Sequence, residues 1–281
     1  MPNIENEKAA LVSLLQPYLI VDNVEALVGG LSNLCMKVTD DSGKSYVWRP
    51  NGHSTDAFGL NRATEYEALT FASKVGIASA PAYLLDEGLL NPWVDGEMLQ
   101  SAEFDLTARL LADVHALPPM SLHFDPFVKG AYYYSQLTPS SVDRSISQIH
   151  TYFQNHVFVS GLPLTTCHYD LGYYNVIRTP EGSVSLIDWE YAALGDPAMD
   201  IVMTSLANGF ELETLVDRYC QIKGIADKER WLMHCQRWLP VADYLGVLWY
   251  ALGYELYGLD IYKERKHFFQ RKVEDYIQNH P

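Results

Sequence analysis

The alternation of apolar runs and turn residues divides the chain into two unlike parts. Residues 5–16 read as a short opening helix. Three apolar runs follow, at residues 19–28, 34–39 and 45–49, broken by Gly29-Gly30 and by Asp40-Asp41-Ser42-Gly43. Short runs between such turn residues predict strands joined as two hairpins. From Asn61 the period changes: Ala63, Tyr66, Leu69, Thr70 and Ser73 fall three or four apart, and Gly76 stops the pattern, which predicts a helix. Residues 82–85 and 88–93 return to strand-like runs.

Beyond Asn91-Pro92 and Asp95-Gly96 the pattern is mainly helical, with helices expected near residues 103–116, 145–158, 197–207, 212–223, 228–257 and 261–278. Residues 118–126 form a proline-rich loop. The expected fold class is therefore α+β, with a small β-rich N-terminal lobe (residues 1–94) and a larger, mainly helical C-terminal lobe (residues 95–281), hinged near residues 91–96. One β-like interruption, residues 165–189, stands among the later helices.

With 281 residues, 48% hydrophobic and 20% charged, the chain can bury a substantial core. Its net charge of -15 excludes the basic footprint that nucleic acid or an anionic membrane needs, and favours a positively charged partner; ordinary acidic surfaces carry such a surplus too. The four cysteines, Cys35, Cys167, Cys220 and Cys235, lack paired spacing, which argues against a zinc knuckle or a disulfide framework. With no signal-like N-terminus and no apolar stretch of membrane-spanning length, a reducing, cytoplasmic location is expected, without membrane insertion. Nothing in the sequence bears on oligomeric state.

The interruption holds the candidate chemistry. It reads His168-Tyr169-Asp170-Leu171-Gly172-Tyr173-Tyr174-Asn175, then an apolar run, a polar turn at Pro180-Glu181-Gly182, and Leu186-Ile187-Asp188-Trp189-Glu190. Phosphoryl transfer depends on positioning and charge neutralisation, so it needs a carboxylate near the attacking hydroxyl and hard oxygen ligands for magnesium. Asp170 suits the first role, and Asn175 and Asp188 the second. Taken singly, an Asp in a turn caps backbone amides and an Asn before a strand supports a tight turn. Together, His-x-Asp, an Asn five residues after the Asp and an Asp thirteen residues beyond that Asn reproduce the ordered kinase catalytic set.

The motifs HYDLGYYN (residues 168–175) and LIDWEYA (residues 186–192), with GGLSN (residues 29–33) and LNRATEYEAL (residues 60–69), resemble the aminoglycoside phosphotransferase and choline kinase superfamily, in its choline kinase or thiamine kinase-like branch. The resemblance implies a two-lobed protein-kinase-like fold and an ATP- and Mg2+-dependent phosphotransferase acting on a small alcohol. It further implies Asp170 as catalytic base, His168 as scaffold of its loop, and Asn175 and Asp188 as metal ligands. Arg49 would contact ATP phosphates and pair with Glu65, Ser32 and Asn33 would approach phosphate, and adenine would sit at the hinge by Asn91, Trp93 and Val94. Arginine stands at 49 where protein kinases carry lysine, giving a planar, bidentate phosphate contact in place of a point charge; Lys44 is the second candidate. Asp196 before Pro197 reads as a helix N-cap, and Asp200 as a brace for the catalytic loop.

For the acceptor, Glu190 and Tyr191 follow the metal-binding Asp188, and late aromatics include Trp231, Trp238, Tyr244, Trp249, Tyr250, Tyr254 and Tyr257, interleaved with Asp243 and Glu255. Aromatic faces with a carboxylate bind quaternary ammonium, and Trp249 resembles the cage residue of choline kinases. Equally, Leu245, Leu248, Trp249, Leu252 and Leu256 fall on one face, the pattern of an ordinary buried helix. The expected acceptor is a small cationic alcohol: choline, ethanolamine or thiamine, with aminoglycosides as the alternative. A non-catalytic nucleotide-binding pseudokinase would lack the base or a metal ligand, and all three residues are present. Eight residues between Asp188 and Pro197 leave no room for a protein kinase's activation segment.

Overall fold

The computed structural model describes residues 4–27 and 35–280. The chain begins with α1 (Ile4–Leu15), then β1 (Val21–Ala26), β2 (Met36–Asp40), β3 (Ser45–Pro50), α2 (His53–Phe58), α3 (Arg62–Lys74), β4 (Tyr83–Leu85) and β5 (Gly88–Pro92). These five strands form one antiparallel sheet in the order β1-β2-β3-β5-β4. The turn between β2 and β3 follows its sequence: Asp40 Oδ1 accepts from the Ser42 and Lys44 N–H groups at 3.0 and 2.9 Å, and Gly43 takes φ +83°. Period-two alternation buries Met36, Val38, Tyr46, Trp48 and Leu90 with Leu11 and Leu15 of α1. The opposite face of the sheet turns toward the helical part, and there Leu89 joins the large core with Leu69, Ala72 and Leu111.

The chain leaves this sheet at Pro92 and enters a second one through β6 (Glu97–Met98). After α4 (Phe104–Val114), α5 (Pro126–Gln136) and α6 (Arg144–Asn155) come β7 (Thr165–Cys167), a single 3-10 turn (Tyr173–Asn175), β8 (Val176–Arg178), β9 (Val184–Leu186) and β10 (Ala193–Gly195). β6 pairs with β8, and β8 with β9, so the segment shortly after Pro92 is hydrogen-bonded to the hairpin that carries the candidate chemistry. Gly96 makes the approach: a Cβ there would stand 2.3 Å from the Arg178 carbonyl oxygen, and its φ of +140° suits glycine alone. β7 and β10 form a separate antiparallel pair.

Four helices complete the chain: α7 (Pro197–Asn208), α8 (Leu212–Lys223), α9 (Lys228–Tyr257) and α10 (Asp260–Asn279). Asp196 accepts from the Ala198 N–H at 2.8 Å with Pro197 in the first turn, the cap expected from sequence. The α+β class, with an antiparallel sheet first and helices after, is as expected. Several elements differ. Helix α5 follows the proline-rich loop, capped by Asp125, whose carboxylate accepts from Phe127 N and Val128 N; α2 is too short to show a period; and the β-like interruption extends past residue 189 to β10. No helix among the described residues is long and apolar enough to cross a membrane.

Candidate active site

Alternation along β3 decides where Arg49 points. With Tyr46 and Trp48 packed under the sheet, Arg49 emerges on the face toward the helices. Its Nη2 donates to Asp188 Oδ1 and to Glu190 Oε2, each at 2.6 Å, and its Nε stands 2.9 Å from Glu65 Oε1. Arg62, the first residue of α3, donates from Nη1 to Glu65 Oε2 at 2.6 Å and to Glu190 Oε2 at 3.1 Å. Two guanidiniums thus share three carboxylates, and Arg62, Glu65 and Glu190 are buried. Burial works against the charge on Arg49, but Glu65, Asp188 and Glu190 outweigh it and hold its pKa well above the usual value. Burial pushes Glu190 up and Asp188 adds to this, while Arg49 and Arg62 pull the other way.

The loop between β7 and β8 carries His168, Asp170 and Asn175. Fully buried, His168 accepts from the Asp170 N–H through Nδ1 at 3.2 Å and meets the Ile187 carbonyl through Nε2 at 3.2 Å. Both bonds are met by a neutral ring protonated at Nε2, and burial lowers its pKa in the same sense. One imidazole therefore ties the Asp170 loop to the strand end that carries Asp188. From α7, the buried Asp200 carboxylate accepts the His168 and Tyr169 N–H groups at 2.9 and 2.8 Å and meets His115 Nε2 at 3.0 Å. Cys167 also lies within 4.8 Å of His115 and Asp200, but these hydrogen bonds already account for that cluster.

Asp170 Oδ2 accepts from Asn175 Nδ2 at 3.0 Å, and Oδ1 accepts from the Tyr174 hydroxyl at 2.8 Å. Burial raises the Asp170 pKa, Asp188 raises it further, and the bonds from Tyr174 and Asn175 oppose this, leaving it at about 7. Asp188 adopts φ +63°, a left-handed backbone that Asp tolerates better than most residues, and its side chain is 30% exposed. Among the described residues, no hydrogen bond reaches Asp188 Oδ2 or Asn175 Oδ1. These two hard oxygens suit a magnesium ion.

Other expected positions fall as follows. Asn91 pairs with Val47 across β5 and β3, and its buried Oδ1 has no hydrogen-bond partner among the described residues. The Trp93 N–H donates to the Ser45 carbonyl at 2.9 Å, and the Lys37 ammonium stands 4.3 Å from its ring centroid; Val94 is half-buried beside it. Lys44 sits on the β2–β3 turn with its ammonium 5.1 Å from the Tyr46 ring centroid. Gly29, Gly30, Ser32 and Asn33 lie outside the described residues. Glu190 is buried and held in the ion network by Arg49 and Arg62.

Trp249 donates from Nε1 to the Tyr191 hydroxyl at 2.8 Å, and Phe58 of α2 stacks on it with centroids 5.2 Å apart. One of its faces is therefore already covered. Of the other late aromatics, Tyr250 meets Trp249 edge-on at 4.9 Å between centroids, whereas Trp238 packs on Phe158, Tyr244 on Phe153, and Trp231 on Tyr219. Asp243 pairs with Lys272, and Glu255 accepts from the Thr138 N–H at 3.0 Å, so neither carboxylate joins Trp249. Sequence reasoning missed Arg62 and Tyr174. Arg62 was within reach, three residues before Glu65, at the spacing of a helical ion pair.

A model of the phosphotransferase enzyme family matches residues 23–234, and the chain belongs to that family; it is a small-molecule kinase. Among solved structures it is similar to the choline kinase LicA from Streptococcus pneumoniae, with a TM-score of 0.77 and 22% identity over 96% of this chain and 100% of that one. A choline/ethanolamine kinase family protein from Mesorhizobium loti superposes with a TM-score of 0.69 at 19% identity, covering 97% and 94%. Macrolide 2'-phosphotransferase type I does so at 0.60 and 20%, covering 95% and 97%. Identities this low carry the fold alone. No curated protein sequence gives a significant match.

Proposed function

We propose that the protein transfers the γ-phosphate of ATP to the hydroxyl of a small cationic alcohol, with choline, ethanolamine or thiamine as the leading acceptors. Residues 1–94 and 95–281 act as two lobes, with adenine at the hinge by Asn91, Trp93 and Val94. The observation that carries the reading is the joint placement of Asp170, Asn175 and Asp188, held by one buried His168 and faced by Arg49. Asp170 takes the acceptor proton, and a pKa of about 7 suits a base at neutral pH. Asn175 and Asp188 would hold Mg2+, which when bound neutralises charge on the phosphates. Arg49 exchanges its bond to Asp188 for phosphate oxygens. A structure of LicA in complex with AMP, similar in fold to this chain, supports nucleotide use. Four unpaired thiols support a reducing, cytoplasmic setting.

The cationic acceptor rests on the acidic surroundings of Asp170, with Asp188, Glu190 and the aromatic Tyr191 and Trp249 near it. An aminoglycoside-type acceptor is the second reading, since the same acidity suits a polyamine. ADP release with Mg-ATP, measured against choline, ethanolamine, thiamine and several aminoglycosides with Asp170→Ala as blank, separates them. Acceptor-dependent turnover with one compound names the class. ATP binding without turnover on any would favour a non-catalytic nucleotide-binding module.

A further inference from the structure

We infer that Tyr174 is a gate on Asp170, its phenol hydroxyl occupying the place on the carboxylate that the acceptor hydroxyl must take, so that water is kept from the base until an acceptor displaces the ring. The inference rests on Asp170 being the base. With Asp170 Oδ2 held by Asn175, Oδ1 is the oxygen left for an acceptor, and the Tyr174 hydroxyl donates to it at 2.8 Å. A phenol makes there the same O–H to carboxylate bond that an alcohol substrate would make.

Two further features fit a gate. Tyr174 is 42% exposed and does not pack against the hydrophobic core, so its ring can swing into solvent. Gly172 lies directly beneath: a Cβ on it would stand 2.3 Å from ring atoms Cε1 and Cζ and 2.8 Å from the hydroxyl. The φ of Gly172 is -100°, which any residue adopts, so the glycine makes room for the ring and relieves no backbone strain. The loop is shaped to let this side chain fold back onto Asp170.

The gate suppresses a specific side reaction. In it, a water oxygen bonds to the γ-phosphorus of ATP, the bridging bond to ADP breaks, and the water proton passes to Asp170, leaving ADP and phosphate. The test is ADP release from Mg-ATP, first without acceptor and then with an acceptor that the panel above shows to turn over, for the wild-type protein, Tyr174→Phe, Gly172→Ala and Asp170→Ala. Tyr174→Phe removes only the hydroxyl, and Gly172→Ala keeps it but displaces the ring; melting temperatures check that both fold. Both variants are expected to hydrolyse ATP several-fold faster than wild type, a gain that a merely structural role for Tyr174 would not produce. If both match or fall below wild type while Asp170→Ala is inactive in acceptor phosphorylation, the gate is overturned and the base assignment stands. If Asp170→Ala keeps wild-type turnover, the base assignment falls and the gate with it.

Discussion

Arg49 Nη2 lies 2.6 Å from Asp188 Oδ1, so the side chain proposed to hold phosphate and the one proposed to hold magnesium hold each other. Binding Mg-nucleotide must part them, and each then gains a partner of higher charge. Lysine at 49 keeps a positive charge but cannot reach Glu65, Asp188 and Glu190 together. Arg49→Lys replaces a planar two-point contact with phosphate oxygens by a single point charge; one charged hydrogen bond to the nucleotide lost, about 1.5–3 kcal/mol, is expected to raise the KM for Mg-ATP roughly tenfold or more. An unchanged KM would remove Arg49 from the phosphate site.

Arg62 is 2% exposed and serves Glu65 and Glu190 at once. Breaking a buried ion pair from one side leaves charge without compensation, at a cost of about 3–5 kcal/mol. Arg62→Met should show that loss in urea unfolding, and Arg62→Met with Glu190→Gln should recover part of it. Simple additivity of the two substitutions would show that the five charged groups do not act as one network.

The pKa of Asp170, raised by burial and by Asp188 to about 7, sets two pH dependences. The base must be ionised, so kcat/KM should rise with pH and level off above about 7. For stability the sign is opposite: the folded pKa exceeds the unfolded one of about 4, so the native state holds the extra proton across that window. Stability from this group is present at low pH and lost as pH rises through about 7. Asp170→Asn should therefore melt higher than wild type at about pH 8 and gain little at about pH 5. An equal gain at both pH values would contradict a raised pKa.

Asp200 receives the His168 and Tyr169 backbone N–H groups, just before Asp170, and the His115 ring on one buried carboxylate. An asparagine has one acceptor oxygen for them and puts N–H groups where acceptors are needed. Asp200→Asn is expected to lose about 3 kcal/mol or more of stability, with turnover falling by more than nucleotide affinity. Turnover preserved alongside lowered stability would separate Asp200 from the placement of Asp170.

Local signals accounted for much of the fold. The Asp40–Gly43 turn, the Asp196 cap before Pro197 and the bounds of α8 and α9 each depend on residues a few positions apart, so the order of amino acids states them directly. Helix α5 was legible as well, since Asp125 and Pro126 are a cap and first-turn pair, but the preceding prolines masked it. The two-residue strand β6 was not legible: its pairing with β8 depends on a chain some eighty residues away, and two residues carry no period.

The same division holds at the site. By itself the sequence determined which groups exist and in what order: His168, Asp170, Asn175 and Asp188, with Arg49 on a strand and Glu65 on a helix, because spacing along one loop and one hairpin is local. Only the tertiary structure decided their partners. It placed Glu190 between Arg49 and Arg62, set Phe58 on the face of Trp249, and brought the Tyr174 hydroxyl to Asp170. Where a buried carboxylate or an aromatic face finds its partner is settled by how sheet and helices pack, since charge and ring area removed from water must be matched by whichever groups the packing brings within reach.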